Sequence, residues 1–271
     1  MPKKTFLFYL NTFNDTDHIA PIIYKFLEKG EIVKVVYLSD FDFENDYRIK
    51  FLKRYKNFYI YRSTKWMHLK NKISNKFLIF FLRLFIPKFF KKYICELLSP
   101  ELKDVACVVY EWGEPNRQSF LSAKALSIPT FCIPHGLNIF KNYDVNSHIK
   151  KIKEETGRWP NHSHRNRFDA YIFQSLRHFK MACAWGYDPK KTFVWGSARF
   201  DPKWSKINLE LMDSYKPKII NNKILKIIFF MPHWSYNVNI DKTIECIKRI
   251  LIDNSILLVI KGHTRGTGSL S

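Results

Sequence analysis

Residues 5–38 read TFLFYLNTFNDTDHIAPIIYKFLEKGEIVKVVYL, and this stretch decides the class of the fold. Residues 5–11 and 32–38 are apolar runs rich in aromatic and β-branched side chains, which is typical of buried strands. The segment between them, residues 17–30, has the spacing of a helix and ends at Gly30. A strand, a helix and a second strand in this order predict one βαβ unit of a parallel sheet.

The same alternation continues along the chain. Further strands are predicted at residues 58–62, 105–110, 129–134, 170–174, 192–195, 224–231 and 256–260. Helices are predicted at residues 46–56, 69–98 with a break at Pro87, 117–125, 176–185 and 241–253, and residues 137–167 are predicted to be a polar, basic connection. We therefore predict an α/β fold with a doubly wound parallel sheet.

The composition changes near residues 199–222, where Pro, Lys, Asn and Asp surround a short predicted helix, and we place a domain boundary between about residues 190 and 222. We predict an N-terminal Rossmann-like domain over residues 1–200 and a partial C-terminal one over residues 201–271. Two strands and one helix cannot cover both faces of a parallel sheet. We therefore expect that the C-terminal domain belongs to a longer chain or that another chain completes it.

Three short stretches place a histidine directly after a predicted strand. In open α/β sheets such positions line the ligand-binding crevice, and imidazole either accepts a proton near neutral pH or, when charged, holds a phosphate. The stretches are Ile133-Pro134-His135-Gly136, Met231-Pro232-His233-Trp234-Ser235 and Lys261-Gly262-His263-Thr264-Arg265.

The first of these stretches predicts a general base. Pro134 fixes the backbone before His135, and Gly136 permits a tight turn after it. A histidine at this position suits the removal of a proton from a hydroxyl group. The alternative is that His135 only bonds a carbonyl of the turn.

Glu111 follows the strand at residues 105–110 and would lie near His135 if the two strands are neighbours. It could orient the imidazole or bind a sugar hydroxyl, and Trp112 could stack on a sugar or base. The alternative is a carboxylate near a helix N-terminus beside a packed tryptophan.

Residues that could hold phosphate follow three other strands. Arg199 can bind phosphate oxygens through its planar guanidinium, and Gly196 and Asp201 flank it in a turn. Asp201 could instead cap the helix that follows, and Arg199 could be a solvated surface charge. Near the C-terminus the candidates are His233, Trp234, Lys261, His263 and Arg265.

The formal charge of +21 favours phosphate-rich partners. The basic and aromatic residues 70–103 could lie on an anionic membrane surface, or they could form a core helix with a basic outer face. A nucleic-acid partner would require a recognised motif or an aromatic strand platform, and neither is present.

Several other classes of protein are excluded or disfavoured. Five cysteines without a CxxC pair predict free thiols in a reducing compartment. No segment reaches the length of about 20 apolar residues that spans a bilayer, and no GxGxxG or P-loop motif occurs. We predict no essential metal and no cofactor.

Four motifs in this order resemble those of the GT-B-type transferases that build bacterial surface polymers. The closest likeness is to the CDP-glycerol glycerophosphotransferase (teichoic acid polymerase) group and related surface-carbohydrate biosynthesis proteins. The motifs are a His-Gly pair, a Gly-x-x-Arg-x-Asp turn, a Pro-x-Trp stretch and a basic-x-His stretch. They match His135-Gly136, then Gly196, Arg199 and Asp201, then Pro232 and Trp234, and finally Lys261 and His263.

The resemblance implies two Rossmann-like domains that face each other across a cleft, without an essential metal. It implies that His135 is the base on the acceptor hydroxyl and that Arg199 and His263 hold the donor diphosphate. The chain departs from the pattern at His233, where the family often has Thr, and at Thr264, where it usually has Pro. The family's later Asp/Ser-rich donor-binding turn is absent.

We predict a cytoplasmic transferase at the inner face of the cell membrane. It would transfer a glycosyl or alditol-phosphate group from a nucleotide-linked donor to a surface-polysaccharide or teichoic-acid-like acceptor. One alternative is a sugar-nucleotide epimerase of the same architecture, which would use Glu111 and need no acceptor. Another is a truncated, non-catalytic scaffold that binds anionic lipid or polymer.

Overall fold

The computed structural model describes residues 3–11, 13–38, 43–62, 99–111, 118–133, 147–158, 161–213, 225–230 and 239–262. The described residues fall into two compact units. The first comprises residues 1–140 and 161–215, and the second comprises residues 141–160 and 216–271.

The described part of the first unit contains a seven-stranded parallel sheet with the order β3-β2-β1-β4-β5-β6-β7. Each strand coincides with one of the predicted apolar runs. The strands are β1 (Thr5–Leu10), β2 (Ile32–Tyr37), β3 (Phe58–Arg62), β4 (Val105–Glu111), β5 (Thr130–Ile133), β6 (Ala170–Phe173) and β7 (Thr192–Val194).

Helices connect the strands, as the alternation predicts. In the described residues they are α1 (Phe13–Glu28), α2 (Tyr47–Leu52), α3 (Gln118–Ala125), α4 (Ser147–Thr156), α5 (Leu176–Ala184), α6 (Pro202–Asp213) and α7 (Ile240–Ile252). No helix among the described residues is long and apolar enough to cross a membrane. The predicted helix at residues 69–98 lies entirely outside the described residues.

The strand order reverses between β1 and β4, which lie side by side although a long stretch of chain separates them. Strands β2 and β3 extend the sheet on one side of this pair, and β5, β6 and β7 extend it on the other. In open parallel sheets the ligand crevice lies at such a reversal, beyond the carboxyl ends of the strands. The fold therefore places the candidate crevice beyond Leu10 and Glu111.

Helix α1 covers one face of the sheet beside β1 and β2. Its side chains Ile19, Ile23 and Leu27 are buried at a spacing of four residues, in one cluster with Phe8 and Val33 of the strands. Each such side chain contributes about 1.5–3 kcal/mol when it is fully buried. The sheet is thus fixed where the strand order reverses.

Helix α1 begins four residues earlier than predicted. The carboxylate of Asp15 accepts a hydrogen bond from the backbone N–H of Asn11 at 2.6 Å, which fixes the entry of the chain into the helix. An acidic side chain in the first turn also interacts favourably with the helix dipole. The first turn therefore forms ahead of the apolar pattern that starts at His18 and Ile19.

Helix α4 lies in the segment that was predicted to be an irregular connection. Its sequence SHIKKIKEET has few apolar residues, so hydrophobic periodicity is a weak signal there. Two ion pairs lie on its surface, and each joins residues one turn apart: Lys150–Glu154 at 3.9 Å and Lys151–Glu155 at 3.6 Å. Lysine and glutamate four residues apart favour a helix by about 0.2–0.5 kcal/mol per pair.

The described part of the second unit contains a two-stranded parallel sheet of β8 (Leu225–Phe230) and β9 (Ile256–Lys261), joined through α7. Leu225, Ile228 and Phe230 are exposed in this sheet. Helix α6, which we assigned to the C-terminal domain beyond residue 200, is grouped with the first unit. Its Trp204 is buried against Tyr24 of α1 at a ring separation of 5.6 Å.

Gly186 lies just after α5 with a φ of +93°, and a Cβ atom there would come within 2.6 Å of Asn161 Oδ1. That oxygen accepts a hydrogen bond from the N–H of Ser163 at 2.8 Å. We expect Gly186→Ala to lower the free energy of unfolding by about 2–4 kcal/mol, from backbone strain and this clash together. Chemical denaturation would measure the change.

Gly30→Ala is the matched control. Gly30 also has a positive φ, of +78°, but no atom lies within 4 Å of its Cβ position. We expect Gly30→Ala to lower the free energy of unfolding by only about 1–2 kcal/mol, which is the cost of a left-handed backbone for alanine. An equal decrease in the free energy of unfolding of the two variants would show that the contact with Asn161 does not destabilise Gly186→Ala.

His162 is half-buried, with its ring stacked on Trp185 at 5.5 Å. Burial, together with the charges of Arg165 and His164, lowers its pKa to about 4. Between about pH 6.5 and pH 4 the unfolded chain therefore binds a proton that the folded chain does not. We expect stability to fall as the pH drops through this window.

Urea unfolding at pH 7.5 and pH 5 would measure this effect. The loss of stability at pH 5 should be smaller in His162→Gln than in the parent chain. In His164→Gln, which changes an exposed neighbour, the loss should remain. If His162→Gln retains the full loss, the neutral state of His162 in the folded chain is not its source.

Candidate functional site

Strands β4 and β5 are neighbours, as the prediction for Glu111 required. Glu111 is the last residue of β4 and pairs in register with Ile133, the last residue of β5. The half-buried Glu111 therefore lies at the carboxyl edge of the sheet. His135 follows Ile133 by two residues in the sequence.

The predicted site residues divide into two groups. Those that the structure describes are Glu111, Gly196, Arg199, Asp201 and Lys261. The others lie outside the described residues, and their roles stay predictions: Trp112, His135, Gly136, His233, Trp234, His263 and Arg265.

Tyr9 and Tyr110 join β1 to β4 just before the carboxyl edge. The two residues pair in register, and their rings stack with a centroid separation of 5.1 Å. The hydroxyl of Tyr9 donates to the buried carboxylate of Glu101 at 3.1 Å. Burial, reinforced by the charge of Glu101, raises the pKa of Tyr9 well above its usual range, so this hydroxyl stays protonated as a donor.

The turn at residues 196–201 has a defined local structure. Gly196 has a φ of +81°, and Ala198–Phe200 form a single 3-10 turn. The carboxylate of Asp201 accepts a hydrogen bond from the N–H of Trp204 at 3.0 Å, so Asp201 caps the N-terminus of α6. This is the structural alternative that the sequence left open for Asp201.

Arg199 lies beside α1, where Asp17 is its acidic partner. The distance from Arg199 Nη1 to Asp17 Oδ2 is 3.2 Å, and about one third of each side chain is exposed. The guanidinium carbon of Arg199 is also 5.0 Å from the ring centroid of Phe200. The structure thus brings Arg199 to the first unit's carboxyl edge, where sequence reasoning did not anticipate a partner.

Asp17 in turn contacts the buried Arg48 through its other oxygen, at 3.0 Å from Nη1. Arg48 also donates twice to Asp46, from Nε at 3.0 Å and from Nη2 at 2.6 Å. Only 2% of Arg48 and 1% of the Asp46 side chain are exposed. Two arginines and two aspartates therefore form one continuous chain of charges, Asp46–Arg48–Asp17–Arg199.

Burial alone would lower the pKa of Arg48. The hydrogen bonds and charge of Asp46, with Asp17, outweigh this, so that the pKa is raised and the guanidinium stays charged. Asp46 additionally accepts the N–H of Arg48 at 2.9 Å and caps α2. The position of Arg48 is therefore fixed by both its backbone and its side chain.

Sequence reasoning missed Asp17, Asp46 and Arg48. Asp46 carries a usable signal, because an aspartate before an apolar helical segment is a typical cap. Arg48 carries none, because a single arginine in the segment DYRIKFL is normally solvated. Only the pairing of distant segments reveals that it is buried.

Lys261 is the last residue of β9 in the second unit and is exposed. Its Nζ atom lies 6.0 Å from the ring centroid of Phe230 on the neighbouring strand. A cation at this distance interacts weakly with the ring. Its predicted role in binding phosphate remains a prediction.

The described residues contain no group of three or more His, Cys, Asp or Glu side chains that could hold a metal ion. The described cysteines, Cys107, Cys132, Cys183 and Cys246, are free thiols. The expectation that the reaction needs no metal and no cofactor stays a prediction.

No protein-family model matches the sequence, and no curated protein is similar to it. Solved structures resemble it in fold. MnaA of S. aureus, in a co-structure with UDP, has a TM-score of 0.54 at 13% identity, over 97% of this chain and 62% of that one. The chain therefore spans less than two thirds of that protein.

Two other structures extend the comparison. The UDP-GlcNAc 2-epimerase of Methanocaldococcus jannaschii, in complex with UDP-GlcNAc and UDP, has a TM-score of 0.53 at 14% identity, over 96% of this chain and 66% of that one. The glycotransferase of kitacinnamycin has a TM-score of 0.50 at 11% identity, over 100% and 69%. These likenesses confirm the predicted fold class, a mostly parallel α/β fold of the GT-B-like Rossmann type. The resemblance to the teichoic acid polymerase group stays a prediction.

The chain of charges makes Arg48 a stability determinant. We expect Arg48→Met to lower the free energy of unfolding by about 3–5 kcal/mol, because it leaves the carboxylate of Asp46 buried without its cation. Arg54→Met is the matched control, since Arg54 is exposed on the same segment and should change stability by about 0.5 kcal/mol or less. A loss below about 1 kcal/mol for Arg48→Met, measured by denaturation, would contradict the assigned role.

Proposed function

We propose that this chain acts on a nucleotide-linked substrate and transfers its glycosyl or alditol-phosphate group to a surface-polymer acceptor. The observation that carries this proposal is the pairing of Glu111 with Ile133. It puts a carboxylate at the end of β4, beside the end of β5 and at the reversal of strand order. His135 follows Ile133 by two residues in the sequence. Ligands of open parallel sheets bind at this edge.

In the proposed reaction His135 removes the proton from an acceptor hydroxyl. The acceptor oxygen forms a bond to the donor's sugar carbon or phosphorus atom, and the bond from that atom to the nucleotide's phosphate breaks. The leaving nucleotide keeps the electron pair, and positive side chains stabilise its charge. Arg199 is assigned to this second task.

Glu111 has two possible tasks in this reaction. It could accept the second ring N–H of His135 and so fix its orientation, or it could accept a hydroxyl of the substrate. In both cases a carboxylate at the carboxyl edge serves transfer. We further propose a cytoplasmic enzyme at the inner face of the membrane, because a charge of +21 favours anionic surfaces.

A sugar-nucleotide epimerase is the second candidate. The half-buried Glu111 at the carboxyl edge favours it, because an epimerase needs an acid or base within the crevice and no acceptor. Solved structures that resemble the fold include a UDP-GlcNAc 2-epimerase and a glycotransferase. The two functions therefore share a fold and differ in what happens to the nucleotide-linked substrate, which either gives up a group to an acceptor or has its sugar changed without one.

The experiment incubates the full chain with UDP-GlcNAc or CDP-glycerol, each alone and with a lipid-linked saccharide. Transfer releases UDP or CMP only when the acceptor is present, whereas epimerisation changes the sugar of UDP-GlcNAc without an acceptor. We expect acceptor-dependent release, and a loss of about 10²–10⁴ in turnover for His135→Ala.

His164→Ala is the matched control, because His164 is exposed elsewhere in the same unit. Its turnover should equal that of the parent chain. Undiminished transfer by His135→Ala would remove His135 as the base. A changed sugar without acceptor, lost in Glu111→Gln, would establish the epimerase instead.

A further inference from the structure

The turn that carries Arg199 follows β7 in the sequence but contacts α1. Strand β7 is at one edge of the sheet, and β6, β5 and β4 separate it from β1. The chain after Val194 nevertheless returns to α1, the helix that follows β1, where Arg199 pairs with Asp17. Arg199 is therefore placed next to the helix that starts at the reversal of strand order.

Asp17 holds this arginine in a fixed direction. Its Oδ1 accepts from the buried Arg48 at 3.0 Å, and its Oδ2 faces Arg199 at 3.2 Å. Arg48 cannot turn away without breaking its two bonds to Asp46. Oδ1 of Asp17 is therefore held in place by Arg48, and Oδ2 faces Arg199.

Arg199 keeps most of its hydrogen-bonding capacity. A guanidinium has five N–H donors, and the contact with Asp17 involves only Nη1. The side chain is 37% exposed, so solvent or a ligand can reach it. A guanidinium whose orientation is already set is suited to bind two oxygens of one phosphate.

We propose that Asp17 is a positioning residue, which orients Arg199 to bind a phosphate of the nucleotide-linked substrate at the carboxyl edge of the first sheet. This rests on the proposed function for the identity of the ligand. The anion site itself rests on the contacts of Asp17, Arg48 and Arg199. It assigns a role to Asp17 and, through it, to Arg48, neither of which a sequence motif marks.

Electrostatics and positioning predict opposite effects when Asp17 is neutralised. A carboxylate near a bound anion repels it, so its charge alone makes Asp17→Asn strengthen anion binding. If Asp17 orients Arg199, the same substitution weakens binding, because the guanidinium loses its fixed direction. The sign of the change therefore separates the two roles.

The experiment measures binding of inorganic pyrophosphate to the full chain by calorimetry, with thermal unfolding of every variant as a check of folding. We expect Arg199→Ala to weaken binding about tenfold or more and Asp17→Asn to weaken it about threefold to tenfold. Asp17→Glu, which keeps the charge but moves the carboxylate, should lie between Asp17→Asn and the parent. Adding Asp17→Asn to Arg199→Ala should cause no further loss.

Lys206→Ala is the matched control, because it removes one exposed positive charge from the neighbouring helix α6. Its affinity should stay within about twofold of the parent. Unchanged or tighter binding by Asp17→Asn would overturn the positioning role, and so would pyrophosphate binding that does not depend on Arg199. If Asp17→Asn does not fold, Asp17→Glu is used instead, and unchanged or tighter pyrophosphate binding by that variant would overturn the positioning role.

Turnover of UDP-GlcNAc and CDP-glycerol, measured in parallel, separates this inference from the proposed function. If pyrophosphate binds through Arg199 and Asp17 while neither UDP-GlcNAc nor CDP-glycerol is turned over, the anion site stands and the proposed function fails. If nucleotide-linked substrates are turned over equally well by Asp17→Asn and the parent, the function stands and the inference fails.

Discussion

The pairing of β1 with β4 is the constraint on which the rest of the first unit depends. These strands are distant in sequence, yet Tyr9 and Tyr110 pair in register and stack, and Tyr9 donates to Glu101. Each strand then starts one half of the sheet, β2 and β3 on one side and β5 to β7 on the other. The strand order, but not the strand direction, reverses at this pair. In open parallel sheets the connections on the two sides of such a reversal diverge and leave a crevice beyond the strand ends.

The chain of charges from Asp46 to Arg199 lies beside this same pair. Taking a guanidinium and a carboxylate out of water costs several kcal/mol per ion, and good geometry with further hydrogen bonds must offset that cost. Arg48 meets this condition by donating from three nitrogens to two carboxylates. Well-packed apolar side chains in place of both Arg48 and Asp46 would fill the space at lower cost, so stability alone does not explain the charges. Their effect on the fold is to fix Asp17 at the second turn of α1.

The sheet could be predicted from sequence because each strand is an apolar run between polar turns. Helix α4 could not be, because its surface is polar and Lys–Glu pairs support it instead of a buried stripe. In the candidate site, the position of Glu111 beside the end of β5 followed from strand order, and the cap at Asp201 from a local rule. The contacts of Asp17 could not be predicted, since its partners Arg48 and Arg199 come from distant segments that meet only after the sheet forms.

The fold leaves transferase and epimerase equally possible because both require a nucleotide-linked sugar held at a strand edge. What separates them is the proton that must move. A hydroxyl that attacks a donor loses its proton as the new bond forms, and an imidazole that titrates near neutral pH can accept it. An epimerase must instead move protons at the sugar itself, for which carboxylates close to the ring are needed. Glu111 ends β4, and His135 follows the neighbouring strand β5 by two residues in the sequence. Which of the two reactions the chain carries out therefore depends on which of these groups acts on the substrate.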